Sequence, residues 1–165
     1  MALDGFEGKK ELLSLFPNKQ VLICKAKDKE TIIKELCEVI EAADTSSKDL
    51  RLEVMKREAM GGTYFGNHVA MPHPMYPLGK QTCIAVALLE EDIAWDDYGS
   101  MVNVILLVSI QKNNPKAFRI WSYLTEFITN ESFIQAVHKD ISYESFIAQL
   151  SIVLDTMNWK LHECY

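Results

Sequence analysis

Thr82-Cys83-Ile84-Ala85-Val86-Ala87-Leu88-Leu89 carries no charge and is bounded by Gly79-Lys80-Gln81 on one side and Glu90-Glu91 on the other. An apolar run of that length between turn-prone and acidic residues reads as a strand covered on both faces. Val102 to Ile110 reads the same way. Working outward, Val21 to Cys24 is a third short run rich in β-formers, lying between Pro17-Asn18 and the charged Lys25 to Lys29. Asp28 is placed to cap a helix in which Ile32, Ile33, Leu36, Val39 and Ile40 recur at three- and four-residue spacing as far as Ala43. A second helix is expected from Ser46 or Ser47, with Leu50, Val54 and Met55 on one side and a stop at Gly61-Gly62. Thr63-Tyr64-Phe65, a turn at Gly66-Asn67 and a short strand carrying His73 follow, then an exposed loop from Met75 to Lys80. Glu90 to Gly99 reads as a connection between the two long strands. Asn113-Asn114-Pro115 opens a helix with Ile120, Tyr123, Leu124, Phe127 and Ile128 inside, and two more helices are expected near Glu131 to Val137 and Ser142 to Leu154. Strands interleaved with helices predict an α/β or α+β layered domain with a central mixed sheet flanked by helices. One domain is expected over residues 1–165, its recognisable core at about 10–154.

Composition narrows the function classes. Of 165 residues 48% are hydrophobic and 24% charged, and the net charge is −6, which argues against direct contact with nucleic acid. Cys24, Cys37, Cys83 and Cys164 show no Cys-x-x-Cys spacing and no basic, apolar leader precedes them, so free thiols in a reducing cytoplasm are expected. No apolar stretch approaches the 18 or so residues a membrane helix needs, so no membrane insertion is expected.

Met71-Pro72-His73-Pro74 is the most chemically suggestive segment. Each proline fixes its own φ and pushes the residue before it out of the helical region, so His73 is a solvent-facing imidazole on a stiff, extended stalk. A free imidazole titrates near pH 6.5, so at neutral pH much of it keeps a lone pair for attack on an electrophile. The competing readings are a loop histidine without a role, a metal site shared with His68, and a hydrolase pairing His73 with Cys83. On an extended strand residues 68 and 73 start on opposite faces, and no carboxylate or cysteine stands at a customary zinc spacing, so no metal is expected. Cys83 lies within an apolar strand and reads as a core residue. His138 and His162 read as surface residues.

Arg57-Glu58, Gly62-Thr63, Gly66-Asn67 and Ala70-Met71-Pro72-His73 together resemble the active-site signature of the EIIA domains of the fructose/mannitol class of the bacterial phosphotransferase system (PTS). The resemblance implies a mixed sheet flanked by helices and a phosphoryl group accepted on His73 from the carrier HPr, then passed to a cysteine of an EIIB partner. Phosphoryl transfer asks mainly for alignment and for donors around the equatorial oxygens, with no cofactor. Arg57 suits stabilisation of the phosphoryl group by its planar fork, Thr63 and Asn67 suit neutral donors, and Gly62 and Gly66 suit close backbone approach. Mannitol-type members place a second histidine at about Lys116-Ala117, where this chain has none, leaving His68 or Lys116 as substitutes. Pro74, in place of a small residue, is similar to the EIIA-like domain of antiterminator-class (PRD-containing) sugar-operon regulators. There the phosphohistidine is a regulatory input to other domains of the regulator, and the domain is non-enzymatic; in a transporter it is a phosphotransferase component.

Overall fold

The computed structural model describes residues 5–157. Trp159, His162 and Cys164 lie outside the described residues. Five strands form one mixed sheet: β1 (Val21–Cys24), β2 (Tyr64–Gly66), β3 (Val69–Ala70), β4 (Cys83–Ala94) and β5 (Met101–Ser109), in the order β1-β4-β5-β3-β2. β1 runs parallel to β4, β4 antiparallel to β5, and β3 parallel to β5, while β2 closes the edge antiparallel to β3.

Alternation along the two central strands builds two cores. Ile84, Val86, Leu88, Val104, Leu106 and Val108 face one way, and that side is covered by α1 (Gly5–Leu13), α4 (Ala117–Ile128), α5 (Glu131–Lys139) and α6 (Tyr143–Thr156). Cys83, Ala85, Ala87, Leu89, Ile105 and Leu107 face the other way, against α2 (Lys29–Ala43) and α3 (Leu50–Ala59). The small side chains of Cys83, Ala85 and Ala87 leave room for the Ile32, Ile33, Leu36, Cys37 and Ile40 stripe of α2 to lie close on the sheet. Cys83 to Leu89 of β4 and Val102 to Ser109 of β5 are therefore buried on both faces, as their apolar sequence requires.

Caps set several boundaries where the sequence placed them. Asp28 accepts the Thr31 N–H at 2.9 Å and starts α2; Asn130 and Ser142 do the same for α5 and α6 through Phe133 and Ser145. Four expectations need correction. α3 starts at Leu50, not at Ser46 or Ser47, because the buried Asp44 carboxylate accepts the N–H groups of Lys80 and Gln81 and Thr45–Ser47 winds into a 3-10 turn behind it. Residues 5–13, a stretch without a predicted element, form α1, which buries Leu12. β4 does not end at Leu89 but continues to Ala94 through a bulge, its register with β5 jumping from Leu88 opposite Val104 to Ile93 opposite Val102. The β2–β3 turn is centred on Asn67 and His68, both left-handed at φ 52° and 62°, not on Gly66-Asn67. Two consecutive positive φ values are what a tight hairpin turn needs to match the twist of its strands.

Candidate functional site

His73 lies three residues beyond the end of β3, not within a strand. The chain on either side of it is still tied down, since the Val108 N–H donates to the Pro72 carbonyl at 3.0 Å and the Met75 N–H to the Glu53 carbonyl of α3 at 3.3 Å. The imidazole therefore sits at the carboxyl end of the β3 direction, beside the end of β5. Its Nδ1 is 2.9 Å from the Met71 carbonyl oxygen. A carbonyl only accepts, so Nδ1 carries the proton and the lone pair of the neutral ring is at Nε2. Trp121 of α4 holds the ring from the side, with centroids 5.3 Å apart and planes at 77°. Pro74, Met75, Pro77, Val108, Ile110 and Trp121 complete an apolar cavity of about 260 Å³ around it. Tyr76 in the same loop and Phe118, one turn before Trp121, are exposed large hydrophobic groups.

The other residues singled out in the sequence are engaged with partners of their own. Thr63 is buried; its N–H and hydroxyl both donate to the Glu58 carboxylate, while its carbonyl accepts the Met71 N–H at 3.0 Å. Arg57, in the last turn of α3, donates from Nη1 to the Gly61 carbonyl at 2.8 Å. Asn67 is at the opposite end of the extended segment, its Nδ2 donating to the Ile128 carbonyl of α4 at 3.4 Å. Gly66 has φ 95°, so turn geometry accounts for it, and a Cβ on Gly62 would lie 3.2 Å from the Asp96 Cβ.

His68 belongs to the hairpin turn rather than a strand, so the opposite-face argument does not apply to it. His73 is five positions further along the chain, about 16 Å if extended at ~3.3 Å per residue, and the His68 Nδ1 pairs with Asp92 at 3.0 Å. Among the described residues, no three His, Cys, Asp or Glu side chains are grouped to hold a metal ion. Lys116 pairs with Glu11 of α1 at 3.1 Å. His138 is exposed and lies 3.3 Å from the Asn103 amide.

The hydrolase pairing fails on position. The Cys83 side chain belongs to the core between the sheet and α2, whereas Val108, which lines the His73 cavity, belongs to the core on the other face. Burial also pushes the Cys83 thiol above its ordinary pKa, away from the thiolate a nucleophile needs. Three features around the candidate site were not read from sequence: Trp121, the Met71 carbonyl as a partner of His73, and the pairing of Glu58, which the signature includes without a role, with Lys29. Glu58 had a detectable signal, because it continues the Leu50, Val54 stripe at four-residue spacing and so puts a carboxylate on the buried face of α3.

Residues 14–152 match the family described as "Phosphoenolpyruvate-dependent sugar phosphotransferase system, EIIA 2". The chain belongs to this family. Sequences similar to this EIIA domain occur in two Bacillus subtilis (strain 168) proteins. One is the probable licABCH operon regulator, 28% identical over 130 residues, and the other is the transcriptional regulator ManR, 25% identical over 130 residues. These matches cover 78% and 76% of this chain but 19% of each regulator, so the chain spans about a fifth of the length of the curated relatives it matches. The EIIA fold is shared with the Escherichia coli complex of enzyme IIA mannitol and phosphorylated enzyme IIB mannitol, at TM-score 0.72 and 17% identity, over 82% of this chain and 96% of that one. Among the described residues of this EIIA domain, no helix is long and apolar enough to cross a membrane.

Proposed function

We propose that this EIIA domain accepts a phosphoryl group on His73 from phospho-HPr and uses the phosphohistidine as a regulatory input to other domains of a sugar-operon regulator. The observation that carries the reading is the hydrogen bond from His73 Nδ1 to the Met71 carbonyl, which directs the ring lone pair to Nε2. Nε2 attacks phosphorus as the bond to the donor's leaving atom breaks. The Nδ1 proton stays in place, so no general base is needed. The positive charge gained by the ring strengthens the bond to the carbonyl. Apolar walls from Val108, Ile110 and Trp121 exclude water from one side of the reacting nitrogen, and exposed Tyr76 and Phe118 offer apolar surface to a protein donor. Arg57 is assigned to the phosphoryl oxygens, which requires its guanidinium to exchange the Gly61 carbonyl for phosphate. Thr63 and Asn67 act by holding the two ends of the strand that leads to His73.

Incubation with phosphoenolpyruvate, enzyme I and HPr, followed by mass spectrometry, tests the proposal. An acid-labile gain of one phosphoryl group that disappears in His73→Ala is expected; an unlabelled wild type, or a labelled His73→Ala, overturns it. Arg57→Ala is expected to slow transfer about tenfold or more with the melting temperature retained, and equal rates would remove Arg57 from the reaction. The second reading, a carrier within sugar uptake, is favoured by the likeness to an EIIA solved with its EIIB partner. Passage of the label from His73 to an EIIB cysteine distinguishes it.

A further inference from the structure

The charged pair Lys29 and Glu58 has no part in the chemistry just described, yet it is built into the interior behind His73. The Glu58 side chain is 2% exposed and its carboxylate is 2.6 Å from Lys29 Nζ. Lys29 also donates to the Trp95 carbonyl at 3.0 Å and lies 4.8 Å from the Trp95 ring centroid. The carboxylate receives both the N–H and the hydroxyl of Thr63. One buried group therefore joins the start of α2, the β4–β5 connection and the first residue before β2. Buried ion pairs are poor stabilisers compared with apolar residues of similar size, so stability alone gives little reason for this one.

The bonds leading away from it end at the imidazole. Glu58 fixes Thr63 at two points. The Thr63 carbonyl takes the Met71 N–H at 3.0 Å, and the Met71 carbonyl takes His73 Nδ1–H at 2.9 Å. Gly62 packs against Asp96 in the same corner, where a Cβ would sit 3.2 Å from the Asp96 Cβ. Resting on the proposed role of His73, we propose that Glu58, held by Lys29, is a positioning residue: through Thr63 and Met71 it sets the tautomer and direction of the His73 ring and thereby the rate of phosphoryl transfer at Nε2. A displacement of about 1 Å at a reacting atom is enough to cost about 100-fold in rate, and this network, beside the Val108 N–H bond to the Pro72 carbonyl, holds the Met71 carbonyl against such a displacement.

The test uses Glu58→Gln, the near-isosteric Thr63→Val, Thr63→Ser as the conservative rescue, and Lys29→Met/Glu58→Leu, in which both charges are removed together so that no lone buried charge unfolds the chain. Two quantities are read in each: the His73 tautomer, from imidazole ¹⁵N shifts of the unphosphorylated protein, and the transfer rate as a function of phospho-HPr concentration. Thr63→Val and the double variant are expected to lower the saturating rate tenfold or more. The half-saturating HPr concentration should stay within twofold, with signal lost from the Nδ1–H form. Thr63→Ser should restore both. Saturating rates within twofold of wild type, or lower rates with the tautomer unchanged, overturn the proposal. A wild-type protein that accepts no phosphate would instead overturn the role of His73, and the tautomer measurement would still report on the network by itself.

Discussion

At the residue scale, burial sets the chemistry of two cysteines. Burial, with a hydrogen bond to Glu35, raises the Cys24 thiol to about 11, and burial raises that of Cys37 to about 12. At pH 8 only about one Cys24 in a thousand is thiolate, and about one Cys37 in ten thousand. Native protein treated with iodoacetamide at pH 8 should leave both unmodified while urea-unfolded protein is alkylated; peptide mapping reads this directly. Alkylation of either in the native state at the rate of a free thiol would contradict the assigned environment. His73 stands out in the sequence as a candidate because two prolines and a spaced signature mark it. Its hydrogen bond was not legible, because the acceptor is a backbone carbonyl, and that pairing is decided by how the chain bends at Pro72. Trp121 was missed for a different reason. It lies at the margin of the α4 stripe, half-buried, where periodicity does not separate a core residue from one that touches a ligand.

At the element scale, α2 shows what local rules determine. Asp28 accepts from both the N–H and hydroxyl of Thr31, and these bonds hold its carboxyl below the usual carboxylate pKa. A carboxylate with a depressed pKa in the folded state stabilises fully above the unfolded value of about 3.9, and that contribution fades as the pH falls below it. The stability gap between wild type and Asp28→Asn, measured by urea titration, should therefore be widest at neutral pH and shrink in acid; parallel curves would remove Asp28 from that role. β2 and β3 were the least legible elements. With three and two residues they contain almost no period, and long-range pairing with β5 and a left-handed His68 define them. The bulge in β4 is similar, since nothing in Glu90-Glu91-Asp92 shows that pairing resumes at Ile93. Ala87, fully buried beneath α2, gives a packing test: Ala87→Leu should cost ~1–3 kcal/mol by overfilling the gap, measurable as a lower urea midpoint.

At the scale of the whole molecule, one sheet is shared by two cores, so loss of either should expose the other. Phe127, fully buried, contacts Phe16 and Phe133 edge-on at 5.9 and 5.4 Å on the α4 side. Phe127→Ala should cost about 3–5 kcal/mol. Trp95 reports on one core and Trp121 packs against the other. In variants keeping either tryptophan alone, fluorescence should move at the same urea concentration, and two separate midpoints would show that the faces unfold independently. The layered architecture was legible from the order of apolar runs and helical stripes, because each such run must bury its faces somewhere. Which helices share a face was not, because α1 joins α4 and α6 only through contacts across nearly the full chain. Lys9 of α1 pairs with Asp155 of α6 at 2.5 Å, so the two described ends emerge side by side. The described residues thus trace topologically a ring left open at one point. A circular permutant that joins residue 157 to residue 5 through a short flexible link and opens at the exposed Tyr98-Gly99 tip would keep every layer in place, and the segment bearing His73 would lie unbroken inside the new chain.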